Sequence, residues 1–156
     1  MKRSLKFLHE VGSAGMIGAL AAHIVLLVGA KNMSLVEYAA VRHGIFDLSR
    51  WVLLPSLTLV LFTGLLSMAV TPAFHNAGWV WVKALLGVAM LEGTLGAVQG
   101  TARDAAALAA KAVGGESDAA AMADVLRHEW GGLWLILALS VLNILLAVWR
   151  PRLYRQ

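Results

Sequence analysis

Charged residues are spaced along the chain so that four long apolar stretches remain. Val11 to Ala30 runs 20 residues without Asp, Glu, Lys or Arg, Trp51 to Val82 runs 32, and Trp130 to Trp149 runs 20. Lys83 to Ala102 holds one acid, Glu92, after its opening lysine. A bilayer core about 30 Å thick is crossed by about 20 apolar residues in a helix. The longest stretch is interrupted at Thr71-Pro72 and at His75-Asn76-Ala77-Gly78, turn-forming residues that end one helix and start another. The pattern predicts four spans, at residues 8–30, 48–70, 79–100 and 130–149. The predicted fold class is all-α: a four-span transmembrane antiparallel helix bundle with an outer helical hairpin, one integral membrane domain over residues 1–156.

The segments between spans also read as helical. Ser34-Leu35-Val36-Glu37 has the form of a capping box, in which the Ser oxygen takes a helix amide and the Glu reaches back. A short surface helix from Leu35 to Arg42, turning near Gly44 into the second span, is expected there. Thr101 to Val113 is alanine-rich and unbroken, so the third span continues into it. Gly114-Gly115 ends that helix, and Ser117-Asp118 caps the next one, which leads into the fourth span. Pro55 predicts a kink within the second span. The first apolar segment is too long for the core of a cleaved signal peptide and reads as a retained span.

Composition agrees with this reading. Hydrophobic residues make up 60% of the chain and charged ones 14%, against about 25% charged in soluble domains. There is no cysteine, which excludes disulfides and thiolate chemistry. The net charge of +4 is topological and does not point to nucleic acid. Lys2, Arg3 and Lys6 precede the first span, and Arg150, Arg152 and Arg155 follow the last, so the positive-inside rule places both termini in the cytoplasm. Trp79, Trp81 and Trp149 then mark the inner interface, with Trp51, Trp130 and Trp134 nearer the outer one.

Candidate chemistry comes from polar groups placed in apolar helices, where ionisable side chains face the bundle interior. His9 and His23 are 14 residues apart and share one face of the first helix, with Gly12, Met16 and Ala19 between them. Two imidazoles on one face suit haem b ligation; a small-residue face also suits close helix packing. His23 is the preferred iron ligand, with His43 or His128 as the second. Arg50 or Arg103 would meet the haem propionates. His43, Asp47 and Arg50 form one stripe, either an anion or quinone-head site built on Arg50 or a self-paired salt bridge. Glu92 lies near mid-membrane, as a proton relay, a partner of His23, or a hydrogen-bonding group to another helix. Gly96 and Gly100 permit close helix approach. Lys83 either works with His9 at an inner site or snorkels to the headgroups. His43, His128 and Glu129 offer an outer copper or zinc site.

Leu8-His9-Glu10-Val11-Gly12 resembles the His-x-x-Gly start of the membrane domain of copper-resistance D proteins and of the flavin-free membrane protoporphyrinogen oxidase. Gly78-Trp79-Val80-Trp81-Val82-Lys83 resembles the Gly-Trp-x-x-x-Lys of a later helix in that oxidase. The resemblance implies haem b binding and essential roles for His9 and Lys83. As a whole the chain is similar to a family of uncharacterised four-helix integral membrane proteins of bacteria, which share Arg-His-Gly and Glu-Trp-Gly-Gly-Leu-Trp stretches. It implies a multi-pass protein of the bacterial inner membrane.

The expected function is therefore haem b binding for electron transfer, or redox chemistry on a porphyrin or quinone with His9, Lys83 and Glu92 as candidate catalytic groups. The alternative is an accessory subunit that binds no cofactor and packs in a larger membrane complex or homo-oligomer.

Overall fold

The computed structural model describes residues 2–75 and 77–149, Lys2 and Ala73 by backbone alone. The predicted turn residue Asn76 and the basic flank Arg150, Arg152 and Arg155 lie outside the described residues. Four helical columns, each long and apolar enough to cross a membrane, run antiparallel, and no strand occurs among the described residues. The first is α1 (Lys2–Gly29), closed by a 3-10 turn (Ala30–Asn32). The second is α2 (Leu35–Leu48), a π-helical segment (Ser49–Leu53) and α3 (Leu54–Ala69). A short α4 (Pro72–His75) leads to the third column: α5 (Gly78–Gly93), a second π-helical segment (Thr94–Gly100) and α6 (Thr101–Val113). The fourth is α7 (Ala119–Trp149).

Local signals explain most boundaries. The capping box forms, with Ser34 N–H donating to Glu37 at 2.9 Å and Ser34 Oγ taking the Glu37 amide. Gly115 adopts φ +92°, which favours glycine, and closes the hairpin. Asp118 caps α7 by accepting the Ala121 amide at 2.9 Å. The expected turn near Gly44 does not occur. α2 runs straight through Gly44 because its Arg42 and Ile45 face is buried between the first column and α6. At Pro55 the second column enters its α-helix from a π segment, which absorbs the missing proline amide over five residues.

The columns contain 30, 35, 36 and 31 residues, or roughly 45–54 Å at 1.5 Å per residue. They exceed a bilayer core, and the surplus of the last three lies at the end carrying Gly114. There α2, α6 and the start of α7 form a helical cap. Close approach of helices in lipid rests on small residues, since hydrophobic burial drives little there. A Cβ on Gly12 would sit 3.0 Å from the Ser56 carbonyl oxygen and 2.9 Å from Val60. A Cβ on Gly132 would sit 2.8 Å from Ala97 Cβ. The small face at Gly12 is thus occupied by the second column, leaving no room for a flat cofactor against that glycine. Leu20, Ile45, Leu53, Leu57, Leu133 and Ile136 are buried in one core cluster beside the π segments.

Candidate functional site

The predicted polar residues separate into three groups. The first is a buried cluster joining three columns. Glu129 on α7 accepts from Arg42 Nη2 on α2 at 2.7 Å and from His23 Nε2 on α1 at 2.9 Å, and all three side chains are 0% exposed. The arrangement is an ion pair extended by an imidazole. His23 Nδ1 and Arg42 Nε and Nη1 have no hydrogen-bond partner among the described residues. Glu129 therefore takes the place expected for Glu92 beside His23. The sequence signal for it is an acid directly before an uncharged run, Glu129 ahead of Trp130 to Trp149.

The second group points outward. His43 pairs with Asp47 at 3.5 Å on its own helix, and His128 pairs with Asp124 at 3.4 Å; both imidazoles are largely exposed. Arg50 is exposed and lies over the Trp51 ring, 5.1 Å from its centroid. Arg103 is paired with the neighbouring Asp104. Glu92 is exposed on the outside of the third column, facing away from the bundle interior where it was expected. Among the described residues, no three His, Cys, Asp or Glu groups come together as metal ligands, so the outer copper or zinc site does not form. Haem at His23 does not fit either. Its Nε2 is held by Glu129 in a closed environment, and His43 and His128 turn away from it.

The third group gathers in a cavity of about 480 Å³ within the bundle, toward the chain's N-terminus and α4. α1 supplies His9 and Glu10, α3 supplies Val60 and Gly64, α5 supplies Trp79 and Lys83, and α7 supplies Ser140 and Asn143. Ligand sites of this kind are mostly apolar with a few convergent polar groups, at about 300–1,000 Å³. The close packing at Gly12 brings α1 onto α3 and sets His9 against it. His9 Nδ1 lies 3.0 Å from the Val60 carbonyl and 3.1 Å from Thr63 Oγ1. The carbonyl only accepts, and Thr63 already donates to Leu59, so Nδ1 carries the proton. Nε2 is left without a protein partner among the described residues. The ring lies against Gly64, 3.6 Å from where a Cβ would be, an ordinary contact distance. Lys83 is half-buried on the facing helix, and no carboxylate lies within ion-pair distance of it among the described residues.

His9 also lines a second cavity of about 370 Å³ with Lys6, Ser67 and Thr71. It forms part of the wall between the bundle interior and the end of the molecule that carries α4. The structure thus brings His9 and Lys83 together, keeps His23 apart from both, and places Glu92 outside. No family model matches the chain, and no curated protein or solved structure resembles it at a significant level.

Proposed function

We propose that the protein binds a planar, redox-active membrane molecule of the porphyrin or quinone class in the His9–Lys83 cavity. The observation that carries this reading is the convergence of an imidazole and an ammonium group in one largely apolar cavity. Val60 fixes the ring so that Nε2 is the accepting atom, suited to taking a hydroxyl proton from the reduced form of the ligand. Lys83 supplies a positive charge opposite developing negative charge on an oxygen. His9 is the imidazole that lines the cavity, so a haem b in this protein would take it, rather than His23, as an axial ligand; bound haem would supply one-electron transfer. The protein sits in the bacterial inner membrane with both termini cytoplasmic, a reading supported by the Lys and Arg residues of the N-terminal flank.

The test is purification in mild detergent, followed by a visible spectrum and extraction of bound chromophore. His9→Ala and Lys83→Ala are expected to lose the ligand, and His23→Ala to bind it more weakly and at reduced stability. Full retention in both cavity variants would overturn the reading.

One observation favours a second reading, an accessory subunit in a larger complex. Glu92 is exposed on an apolar helix, and Gly96, one turn on, has nothing within 4 Å of an added Cβ. A charged side chain at a helix centre in lipid costs about 2.5–3.5 kcal/mol on insertion scales, and a partner helix covering that face would relieve it. Native electrophoresis decides: a co-migrating complex that is lost in Glu92→Leu supports this reading, and migration of the unmodified protein alone refutes it.

A further inference from the structure

The fourfold bundle is not closed evenly. α1 packs extensively on α3, and α5 on α7, but α1 and α7 have few contacts with each other. Their polar link is the His23–Glu129 bond near the cap. Away from that link the cavity opens to the surroundings. Five of its lining residues are exposed, and three of them lie on these two helices: Ile17 on α1 and Ile144 and Val148 on α7. All three are aliphatic and are 51–68% exposed. The cavity also has two ends of different character. His9, Glu10 and Lys83 form the polar end. Met16 and Ile17, about two helical turns further along α1, form an apolar end with Leu57 and Met90.

From this geometry, and resting on the cavity reading above, we propose that the occupant is a quinone with a long isoprenoid tail, and that its tail passes between α1 and α7 into the bilayer. The head lies at the polar end, where Lys83 donates to a head-group oxygen in either redox state and His9 Nε2 accepts from a hydroxyl of the reduced form, the quinol. An aliphatic-lined slot facing lipid suits a flexible hydrocarbon chain. A rigid porphyrin, with its acidic groups at one edge, has no use for such a slot. A tail in the slot leaves lipid for a similar apolar surface, so the slot contributes passage rather than affinity.

The experiment compares a long-tailed quinone with a short, water-soluble analogue of the same head, both titrated into nanodisc-held protein. The variants Ile17→Trp and Ile144→Trp narrow the slot at exposed positions, where a larger side chain does not disturb the core. The plugged variants are expected to weaken binding of the tailed quinone by about tenfold or more while the short analogue stays within about threefold. Equal weakening of both ligands, or of neither, overturns the tail assignment. Protoporphyrin binding that depends on His9 and Lys83 but ignores the plugs also overturns it and leaves the cavity reading standing. If neither quinone nor porphyrin binds the unmodified protein, the cavity reading itself fails.

Discussion

Removal of the Glu129 carboxylate is the most informative single perturbation. Glu129→Ala deletes the acceptor of two hydrogen bonds, to Arg42 at 2.7 Å and to His23 at 2.9 Å, at a site with no solvent access. Hydrogen bonds involving charged groups contribute about 1.5–3 kcal/mol each, which bounds the loss at about 3–6 kcal/mol. Breaking a buried pair by removing one partner gives about 3–5 kcal/mol independently. The larger part of this loss arises because the Arg42 guanidinium is left buried without its counter-charge. For a chain of this size each kcal/mol shifts Tm by about 2–4 °C, so a fall of roughly 6–24 °C is expected. The assay is thermal unfolding in detergent followed by tryptophan fluorescence. Glu129→Gln keeps the shape and one acceptor oxygen and should fall between. The double variant with Arg42→Ala should be less destabilised than the sum of the singles. Additivity within about 0.5 kcal/mol, or a loss below about 1 kcal/mol in Glu129→Ala, would refute the reasoning.

Gly132→Ala should destabilise by about 1–3 kcal/mol through overpacking, since its Cβ would meet the Ala97 backbone and lie 2.8 Å from Ala97 Cβ; a neutral result in the same unfolding assay would show that α7 can shift freely there. Single cysteines introduced at Gly115 and at His75 of this cysteine-free chain should react with an impermeant maleimide from opposite sides of sealed vesicles, Gly115 from outside; labelling of both from one side would contradict the four-span arrangement.

What the sequence revealed depended on how local the signal was. Uncharged runs, the Ser34 capping box and Gly114-Gly115 act within a few residues, and each stands where the pattern placed it. The second π segment, Thr94–Gly100, was not legible, because it lies where Gly132 meets Ala97 across two columns and has no composition of its own. His9 and Lys83, expected together at one level of their helices, line one cavity. Facing was not legible: Glu92 was expected in the interior by the rule that membrane acids point inward, yet its column turns that face outward. Arg42 and Glu129 were visible as residues but not as a pair, since 87 positions separate them. No periodicity on one helix reports the rotation of another.

The His23–Arg42–Glu129 cluster is a weak source of net stability for its desolvation cost, since well-packed apolar residues often replace such groups with a gain of about 1–4 kcal/mol. Its placement suggests a different value. α1 and α7 scarcely touch elsewhere, so the bond between His23 and Glu129 sets how far apart the two helices stand where the slot begins. A directional contact fixes that spacing and the rotation of α7 more narrowly than interchangeable aliphatic contacts do. The triple variant His23→Leu, Arg42→Met, Glu129→Leu separates the two roles. It should unfold at or above the temperature of the unmodified protein, yet bind the cavity ligand about fivefold or more weakly, because the slot and the His9–Lys83 spacing are no longer held. Unchanged ligand affinity in a stably folded triple variant would show that the cluster serves stability alone, and that cavity geometry is set by the α1–α3 contact at Gly12.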